Sequence, residues 1–225
     1  MRKLSIVLLV LISAAALFAQ GASAAKPAAS AKTGAMAEPK AIIDTTAGKI
    51  NCMLFPDKAP KSVENFIGLA KGTKDWTDPI THQKKHGVPL YDGTIFHRVI
   101  PGFMIQGGDP AGNGTGNPGY GFGLEISPDL KYDRPGRLAY ARTSDPNTNG
   151  SQFFITAQPT PALDGQYTIF GQCDNPDVVQ TIINAPRNSN DLPYNPTKIN
   201  HITIVMPGAA AKAKVAMPKT GEKQP

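Results

Sequence analysis

Residues 96–109 read FHRVIPGFMIQGGD, and they contain two of the apolar, β-branched runs that predict the strands of this chain. The first run extends over residues 94–100 and the second over residues 103–107. Successive side chains of a strand point to opposite faces, so Arg98 lies on one face of the first predicted strand and His97 on the other. We interpret His97 as a structural residue.

Strand-like runs recur on both sides of this stretch, and two other segments have the spacing of helices. Six further runs predict strands at residues 41–46, 49–55, 136–142, 152–157, 167–173 and 199–206. The first two flank Ala47-Gly48, which is typical of a hairpin turn. Residues 59–70 and 176–184 have helical apolar periodicity, and Asn175 is the predicted N-cap of the second helix. This pattern predicts a mainly β fold, a closed eight-stranded antiparallel β-barrel capped by two short α-helices, because closure removes exposed strand edges.

The composition agrees with a loop-rich β domain. Of the 225 residues, 22 are glycine and 21 are proline, which argues against a bundle of long helices. Hydrophobic residues make up 40% and charged residues 18%, which excludes disorder of the whole chain. The formal charge of +6 comes from the ends, because residues 41–206 contain 14 basic and 15 acidic side chains. The globular part is therefore nearly neutral, and its charge does not indicate a nucleic-acid partner.

The first 24 residues have the three parts of a secretory signal peptide. Residues 2–3 are Arg-Lys, residues 4–19 are almost all apolar, and residues 22–24 (ASA) form a small-residue cleavage site. An N-terminal membrane anchor is the alternative, but the apolar run is slightly short to span a bilayer. We expect export to the periplasm, or else release to the medium, with no membrane insertion after cleavage.

Two low-complexity segments enclose a single predicted domain. Residues 25–40 and 207–225 are rich in Ala, Lys and Pro and have no apolar period. They are predicted to be a flexible linker and a disordered basic tail. The domain between them covers residues 41–206, and we expect it to be a monomer.

Short motifs elsewhere have simpler explanations than the functions they suggest. Residues 114–119 match G-x-G-x-x-G, but Pro118 lies inside the motif and no helical pattern follows, so we interpret them as a glycine-rich surface loop. His82 and His86 have no third ligand nearby, and we interpret them as polar loop residues rather than a metal site. No serine lies in a nucleophile elbow. These motifs imply no metal and no organic cofactor.

The chain has two cysteines, Cys52 and Cys173, which lie far apart in the sequence. An oxidising compartment would permit a disulfide between them. The sequence does not show whether the two Cα atoms lie within bonding distance. Two buried thiols on strands are the interpretation that we favour.

Residues 96–109 belong to a set of family-like sequence blocks along the chain. The other blocks are APKSVENF at residues 59–66, NTNGSQFFI at 147–155, ALDG at 162–165 and FG at 170–171. Together these blocks resemble the cyclophilin family of peptidyl-prolyl cis–trans isomerases, over essentially all of residues 41–206. The resemblance implies an eight-stranded barrel with two helices. It also implies catalysed rotation about X–Pro bonds of unfolded or flexible polypeptides, with no cofactor and no metal.

The resemblance also assigns site residues. Two residues are assigned as catalytic: Arg98 matches the catalytic arginine, and Gln106 matches a polar residue of the site that can orient the guanidinium or the substrate carbonyl. The apolar pocket for the substrate proline is matched by Phe103, Met104, Phe154 and Leu163. Further substrate-binding positions are matched by Ala141, Arg142, Gln152 and Tyr167. Ala162 stands where many eukaryotic members have a tryptophan that contributes to cyclosporin binding, and Tyr167 stands where they have a histidine.

An arginine suits this reaction because no covalent bond has to break. Amide resonance gives X–Pro rotation a barrier of about 18–20 kcal/mol, and the twisted state leaves a lone pair on the proline nitrogen. Arg98 can donate a hydrogen bond to that lone pair, which stabilises the transition state more than the substrate. We therefore predict an isomerase that assists the folding of exported proteins. The alternatives are a module that binds proline segments without turnover and a lipocalin-like carrier.

Overall fold

The computed structural model describes residues 38–208. In chain order its elements are β1 (Lys40–Thr45), β2 (Gly48–Leu54), α1 (Pro60–Lys71), β3 (Trp76–Thr77), β4 (Lys84–Lys85), β5 (Arg98–Ile100), β6 (Met104–Gly107), β7 (Arg137–Tyr140), β8 (Phe153–Thr156), a 3-10 turn (Pro161–Leu163), β9 (Ile169–Cys173), α2 (Pro176–Ile183) and β10 (Ile199–Val205). The predicted signal peptide, residues 25–37 of the predicted linker and residues 209–225 of the predicted tail lie outside the described residues. Within 38–208, no helix has the length and apolar character needed to cross a membrane.

Eight strands form one antiparallel sheet, in the order β10-β1-β2-β9-β7-β8-β6-β5. Each of them lies within one of the eight predicted runs, allowing a residue at the ends. The turn of the first hairpin is Thr46-Ala47 rather than Ala47-Gly48, because Gly48 already pairs with Thr45. Gly48 has φ +126°, and a Cβ there would lie 3.1 Å from Val178 of α2. Glycine therefore allows this helix to pack closely over the end of the hairpin.

The two faces of the sheet carry different sets of side chains. One face forms the main core, in which residues such as Ile43, Ile50 and Ile105 are fully buried together with residues of α1 and α2. Aromatic rings fill its centre, with Phe66 and Phe153 in edge contact at 5.7 Å between ring centroids. A second, smaller apolar cluster lies apart from this core, and it is the one that contains the site residues described below.

The prediction of a closed barrel is not confirmed. β5 and β10 are the outer strands of the sheet and do not pair with each other as strands. The isolated bridge between Ile95 and Lys198 connects the segments that precede them, and the Phe96 N–H donates to the Thr197 carbonyl at 3.0 Å. These contacts use the first part of the run predicted at residues 94–100, so β5 is short. The mainly β fold, the two helices and a curled eight-stranded antiparallel sheet are confirmed.

Both helices begin with a proline at or next to the predicted position. Gly72 ends α1 in the left-handed region at φ +69°, and a Cβ there would lie 2.8 Å from the Pro89 nitrogen, so a glycine is required. Asn175 is the N-cap residue of α2, as predicted, but its side chain donates or accepts no capping hydrogen bond. Its Oδ1 instead accepts hydrogen bonds from the Asn51 backbone N–H at 3.3 Å and side-chain amide at 2.7 Å. Asn175 therefore joins α2 to β2.

Cys52 and Cys173 form a disulfide, so the interpretation as two free thiols is wrong. The two residues lie directly opposite each other on the neighbouring strands β2 and β9. They are 121 positions apart in the chain, and only the sheet order brings them together. Both belong to the main core, so the bond crosslinks the sheet on its core face.

β3 and β4 form a separate two-stranded hairpin within the polar segment 73–89, which the sequence did not predict. The Trp76 indole N–H donates to the Val88 carbonyl at 2.9 Å and ties the ends of the segment together. The Thr77 backbone N–H donates to the Pro118 carbonyl at 2.9 Å. The hairpin therefore lies against the glycine-rich loop.

Candidate active site

Three neighbouring strands place the predicted catalytic residues side by side. Arg98 on β5 lies directly opposite Gln106 on β6, and Gln106 lies directly opposite Phe154 on β8. Opposed residues of an antiparallel pair share a face of the sheet, so these three side chains form one row. The intervening residues Val99 and Ile105 are fully buried in the main core. The row therefore lies on the face opposite that core.

An apolar pocket is built beside this row. Met104 lies two residues before Gln106 and shares its face, and it is 2% exposed, while Phe154 is 5% exposed. They form a cluster with Tyr132, Ala139 and Ile169. Seven partly buried side chains pack against this cluster, and four of them are predicted site residues, Phe103, Leu163, Ala141 and Tyr167. The structure therefore brings together the four residues predicted to hold a proline ring.

Phe154 is held between two tyrosines. The Tyr132 ring stacks on it at 6.1 Å and 12° between planes, and the Tyr167 ring meets it edge-on at 5.7 Å and 90°. The Tyr132 backbone N–H donates to Asp164 Oδ1 at 2.7 Å, which fixes the position of that tyrosine. Burial raises the pKa of Tyr132, so it stays neutral. Tyr132 was not predicted as a site residue, because it lies in a polar segment (DLKYDRP) with no apolar period.

A chain of amide hydrogen bonds lies on the polar side of the row. Gln106 Nε2 donates to Gln152 Oε1 at 2.9 Å. Gln152 Nε2 donates in turn to the Gly114 carbonyl at 3.0 Å and to the Gly116 carbonyl at 2.8 Å. A groove of about 650 Å³ opens next to this chain, and its walls include Ala141 and Arg142. The predicted polar residues of the site are therefore in direct contact.

Arg98 presents a partly exposed cation at the edge of the pocket. Its side chain is 46% exposed, and its Nε lies 3.8 Å from Asp191 Oδ2. The other oxygen of Asp191 lies 3.4 Å from Arg187 Nε, and the Val99 backbone N–H donates to the Asp191 carbonyl at 2.9 Å. A pair this exposed contributes little to stability, so its effect is to orient the guanidinium. No motif marks Asp191, which comes from the loop after α2.

A basic, a polar and an apolar group in one row fit a site that binds an amide next to a small apolar ring. The sequence model of the family described as cyclophilin type peptidyl-prolyl cis-trans isomerase/CLD matches residues 40–204, nearly the whole of the described chain. The chain is a cyclophilin-type peptidyl-prolyl cis-trans isomerase. The peptidyl-prolyl isomerase function implied by the family-like sequence blocks is confirmed.

Two curated relatives of this cyclophilin are bacterial isomerases that the match covers almost completely. Peptidyl-prolyl cis-trans isomerase A of Mycobacterium tuberculosis is 48% identical over 172 residues, which cover 75% of this chain and 93% of the relative. Isomerase B of Streptomyces anulatus is 47% identical over 168 residues, covering 73% and 95%. A crystal structure of a Cryptosporidium parvum cyclophilin, in the presence of the dipeptide Ala-Pro, has a TM-score of 0.64 and 39% identity, and covers 74% of this chain and 98% of that one.

In this cyclophilin Arg142 orients the pocket tyrosine rather than pointing freely into the groove. Its Nε and Nη2 donate to the Gln166 carbonyl at 3.0 and 2.8 Å, and its Cζ lies 4.8 Å from the centroid of the Tyr167 ring. Ala141 follows the end of β7, and its N–H donates to the Gln152 carbonyl at 2.9 Å. The main chain at Ala141 and Arg142 therefore continues the line of β7 along the groove.

Two further positions complete the surroundings of the site. Ala162 is exposed on the 3-10 turn beside Leu163, and its small side chain adds no large apolar surface at this edge of the pocket. His97 is 5% exposed, and neither ring nitrogen has a hydrogen-bond partner among the described residues. Burial lowers the pKa of His97, and the nearby carboxylate of Asp109 opposes this shift only in part.

Proposed function

We propose that this cyclophilin accelerates rotation about X–Pro bonds in exported polypeptides and thereby assists their folding. The observation that carries the proposal is the row formed by Arg98, Gln106 and Phe154 on the outer face of β5, β6 and β8. In this row a cation, a polar amide and the wall of an apolar pocket follow one another on three successive strands, each about one strand spacing from the next.

The apolar pocket supplies binding of the proline ring. Phe154 is clamped by Tyr132 and Tyr167, and Met104 is buried beneath the pocket, so the walls are already ordered before a substrate arrives. A proline ring that enters this pocket displaces water from apolar surface, which favours binding by about 25 cal/mol per Å² of apolar area buried. It also removes water from around the amide that must twist.

Arg98 supplies selective binding of the twisted state. In the planar amide the proline nitrogen shares its lone pair with the carbonyl, and it accepts hydrogen bonds only when that conjugation is lost. A guanidinium is always charged and offers several N–H donors in a plane, so it donates to that lone pair as it forms. An interaction that exists only in the transition state raises the rate without tightening substrate binding.

The groove beside the row binds the residues that flank the proline. The main chain at Ala141 and Arg142 and the amides of Gln106 and Gln152 line it, which suits an extended backbone rather than one particular side chain. The Cryptosporidium parvum relative was crystallised in the presence of Ala-Pro, which supports proline-containing peptides as the substrates here. The near-neutral domain favours no nucleic-acid partner. We propose that it works as a monomer.

Export is part of the same proposal. The first 24 residues have the composition of a signal peptide. The disulfide between Cys52 and Cys173 supports it, because such bonds persist in oxidising compartments and are rare in the cytosol. We propose the periplasm as the site of action. Cell fractionation tests this: a chain that begins at residue 25 in the periplasmic fraction is the expected result, and a full-length cytosolic chain would contradict it.

Isomerisation of a short proline peptide tests the proposed mechanism. We expect Arg98→Ala to lower kcat/KM at least about tenfold, since loss of one transition-state donor costs a few kcal/mol. The matched control is Arg134→Ala, because Arg134 is exposed and pairs with its neighbour Asp133 away from the groove. We expect that control to stay within about twofold of the wild type. Unchanged turnover in a folded Arg98→Ala variant would remove Arg98 from the mechanism.

A further inference from the structure

We propose that Asp109 is a positioning residue for the isomerase reaction, which acts through residues 111–116 and fixes the orientation of the Gln152 and Gln106 amides. We call residues 111–116 the carbonyl loop. The inference rests on the proposed function, because it takes Arg98 and Gln106 as the groups that face the twisting amide.

Asp109 is the organising centre of the carbonyl loop. It is 1% exposed, and its carboxylate accepts backbone N–H hydrogen bonds from Ala111 at 2.8 Å, Asn113 at 3.0 Å and Gly114 at 2.5 Å. A buried carboxylate is costly unless such donors surround it, and hydrogen bonds to a charged acceptor are about twice as strong as neutral ones. The loop therefore has one strongly preferred conformation, set by this side chain.

The far side of the carbonyl loop packs directly against the same carboxylate. A Cβ placed on Gly116 would clash with Asp109 Oδ1 and would lie 2.8 Å from the Ala111 Cβ. Gly116 is accordingly buried against Asp109, with no space for a side chain between them. Asp109 thus fixes the direction of both loop carbonyls that accept from Gln152, those of Gly114 and Gly116.

Those two carbonyls decide which way each glutamine amide points. A carbonyl oxygen only accepts, so it is the Nε2 of Gln152 that faces the loop and the Oε1 that faces Gln106. That oxygen accepts from Gln106 Nε2 at 2.9 Å, which turns the Gln106 Oε1 away from Gln152. A reversed Gln152 amide would place its oxygen against two carbonyl oxygens.

The consequence concerns the atom that Gln106 offers to the reaction. Its Oε1 accepts no hydrogen bond from any residue within 38–208, and Gln106 lies directly opposite Arg98. An acceptor oxygen on the residue directly opposite Arg98 attracts the guanidinium, which the Asp191 carboxylate also orients, with 3.8 Å between Arg98 Nε and Asp191 Oδ2. An amide nitrogen there would repel the cation and present a competing donor. Asp109 therefore affects turnover without contacting the substrate, because it determines which way the side-chain amides of Gln152 and Gln106 point.

A double-mutant cycle tests this route. Asp109→Asn turns an amide N–H₂ or a weaker acceptor toward three backbone donors and loosens the carbonyl loop. We expect Asp109→Asn and Gln152→Ala each to lower kcat/KM about five- to tenfold, because small misplacements of a catalytic group have large effects on rate. The double variant should be no slower than the slower single variant, since both changes remove the same orientation. The matched control is Glu125→Gln, whose carboxylate accepts from the Lys61 and Ser62 backbone N–H groups at the start of α1, away from the carbonyl loop, and it should stay within about twofold.

The variant Gln152→Glu provides a second readout that does not need Asp109→Asn to fold. At neutral pH its carboxylate faces two carbonyl oxygens and repels them, so turnover is low. When the pH falls and the carboxyl group is protonated, it donates to a loop carbonyl and accepts from Gln106. We therefore expect its activity relative to the wild type to rise between pH 7.5 and pH 5, whereas that of Gln152→Ala stays constant. His97 lies near Gln152 and is present in all three proteins, so Gln152→Ala controls for its protonation. Exchange spectroscopy by NMR measures the rates without a coupling protease.

The outcomes separate this inference from the proposed function. Multiplied losses in the double variant, with kcat/KM of Arg98→Ala still lowered at least about tenfold, would overturn the role of Asp109 and leave the mechanism standing. A Gln152→Glu variant whose relative activity does not change with pH would also overturn it. Full activity of Arg98→Ala would instead overturn the proposed mechanism.

Discussion

Removing the disulfide between Cys52 and Cys173 should destabilise the fold without impairing the site. The bond closes a loop of 121 positions, and the chain-entropy model gives about 5 kcal/mol at 25 °C for a loop of that length. Residual structure in the unfolded chain makes this an upper value, so we expect a loss of about 3–5 kcal/mol. For a domain of this size the midpoint of thermal unfolding should fall by roughly 8–15 °C.

Urea unfolding of three samples measures this loss. They are the oxidised wild type, the wild type reduced before refolding, and the double variant Cys52→Ala/Cys173→Ala. The two samples without the bond should agree with each other, and added reductant should not change the double variant. Both cysteines belong to the main core, on the face opposite Arg98, so kcat/KM of the folded double variant should stay within about twofold. Equal free energies of unfolding for the oxidised and reduced wild type would show that the disulfide does not stabilise the fold.

Two further predictions concern the pocket rim and His97. Ala162 leaves one side of the pocket without a large ring, so cyclosporin should inhibit poorly. Ala162→Trp should improve inhibition at least about tenfold, with a smaller change in kcat/KM, because an aromatic contact and a hydrogen bond are each worth about 1 kcal/mol; tight inhibition of the unmodified protein would contradict this. The pKa of His97 is lower in the folded protein than in the unfolded chain. As the pH falls below the ordinary pKa of 6.5, the unfolded chain therefore binds a proton that the folded protein does not yet bind. The free energy of unfolding decreases over this range, down to the pKa of His97 in the folded protein. Urea midpoints between pH 7.5 and pH 5 should therefore fall more steeply for the wild type than for His97→Gln, by at most about 1.4 kcal/mol per pH unit. Parallel pH profiles would exclude His97 as the cause.

The eight strands were predictable because their apolar runs are bounded by glycine, proline and polar residues. β6 and β8 illustrate this, since Met104–Gly107 and Phe153–Thr156 fall inside the predicted runs. The register was not available from these runs alone. The row of Arg98, Gln106 and Phe154 was therefore predicted only through the resemblance to a family, and the structure gives its physical basis in directly opposed residues.

Features that depend on distant contacts were missed. The disulfide requires β2 and β9 to be neighbours, which nothing near Cys52 or Cys173 in the sequence indicates. Tyr132 and Asp191 reach the site from irregular segments, where no periodicity marks a buried or functional residue. Asn175 has a side chain suited to capping its own helix, but its oxygen accepts from the side-chain amide of Asn51 instead. Each of these features depends on residues that are distant in the sequence, so local sequence patterns did not predict it.

In the proposed mechanism Arg98 donates a hydrogen bond to the twisted amide and not to the planar one, so it should affect the rate of isomerisation and not the Kd of the peptide. NMR titration of a short proline peptide gives its Kd, and exchange spectroscopy on the same bound sample gives the rate of isomerisation. For Arg98→Ala we predict a Kd within about threefold of the wild type and an isomerisation rate at least about tenfold lower, because the lost hydrogen bond exists only in the transition state. A Kd weakened by the same factor as the rate, or a bound peptide that still isomerises at the wild-type rate, would contradict the account.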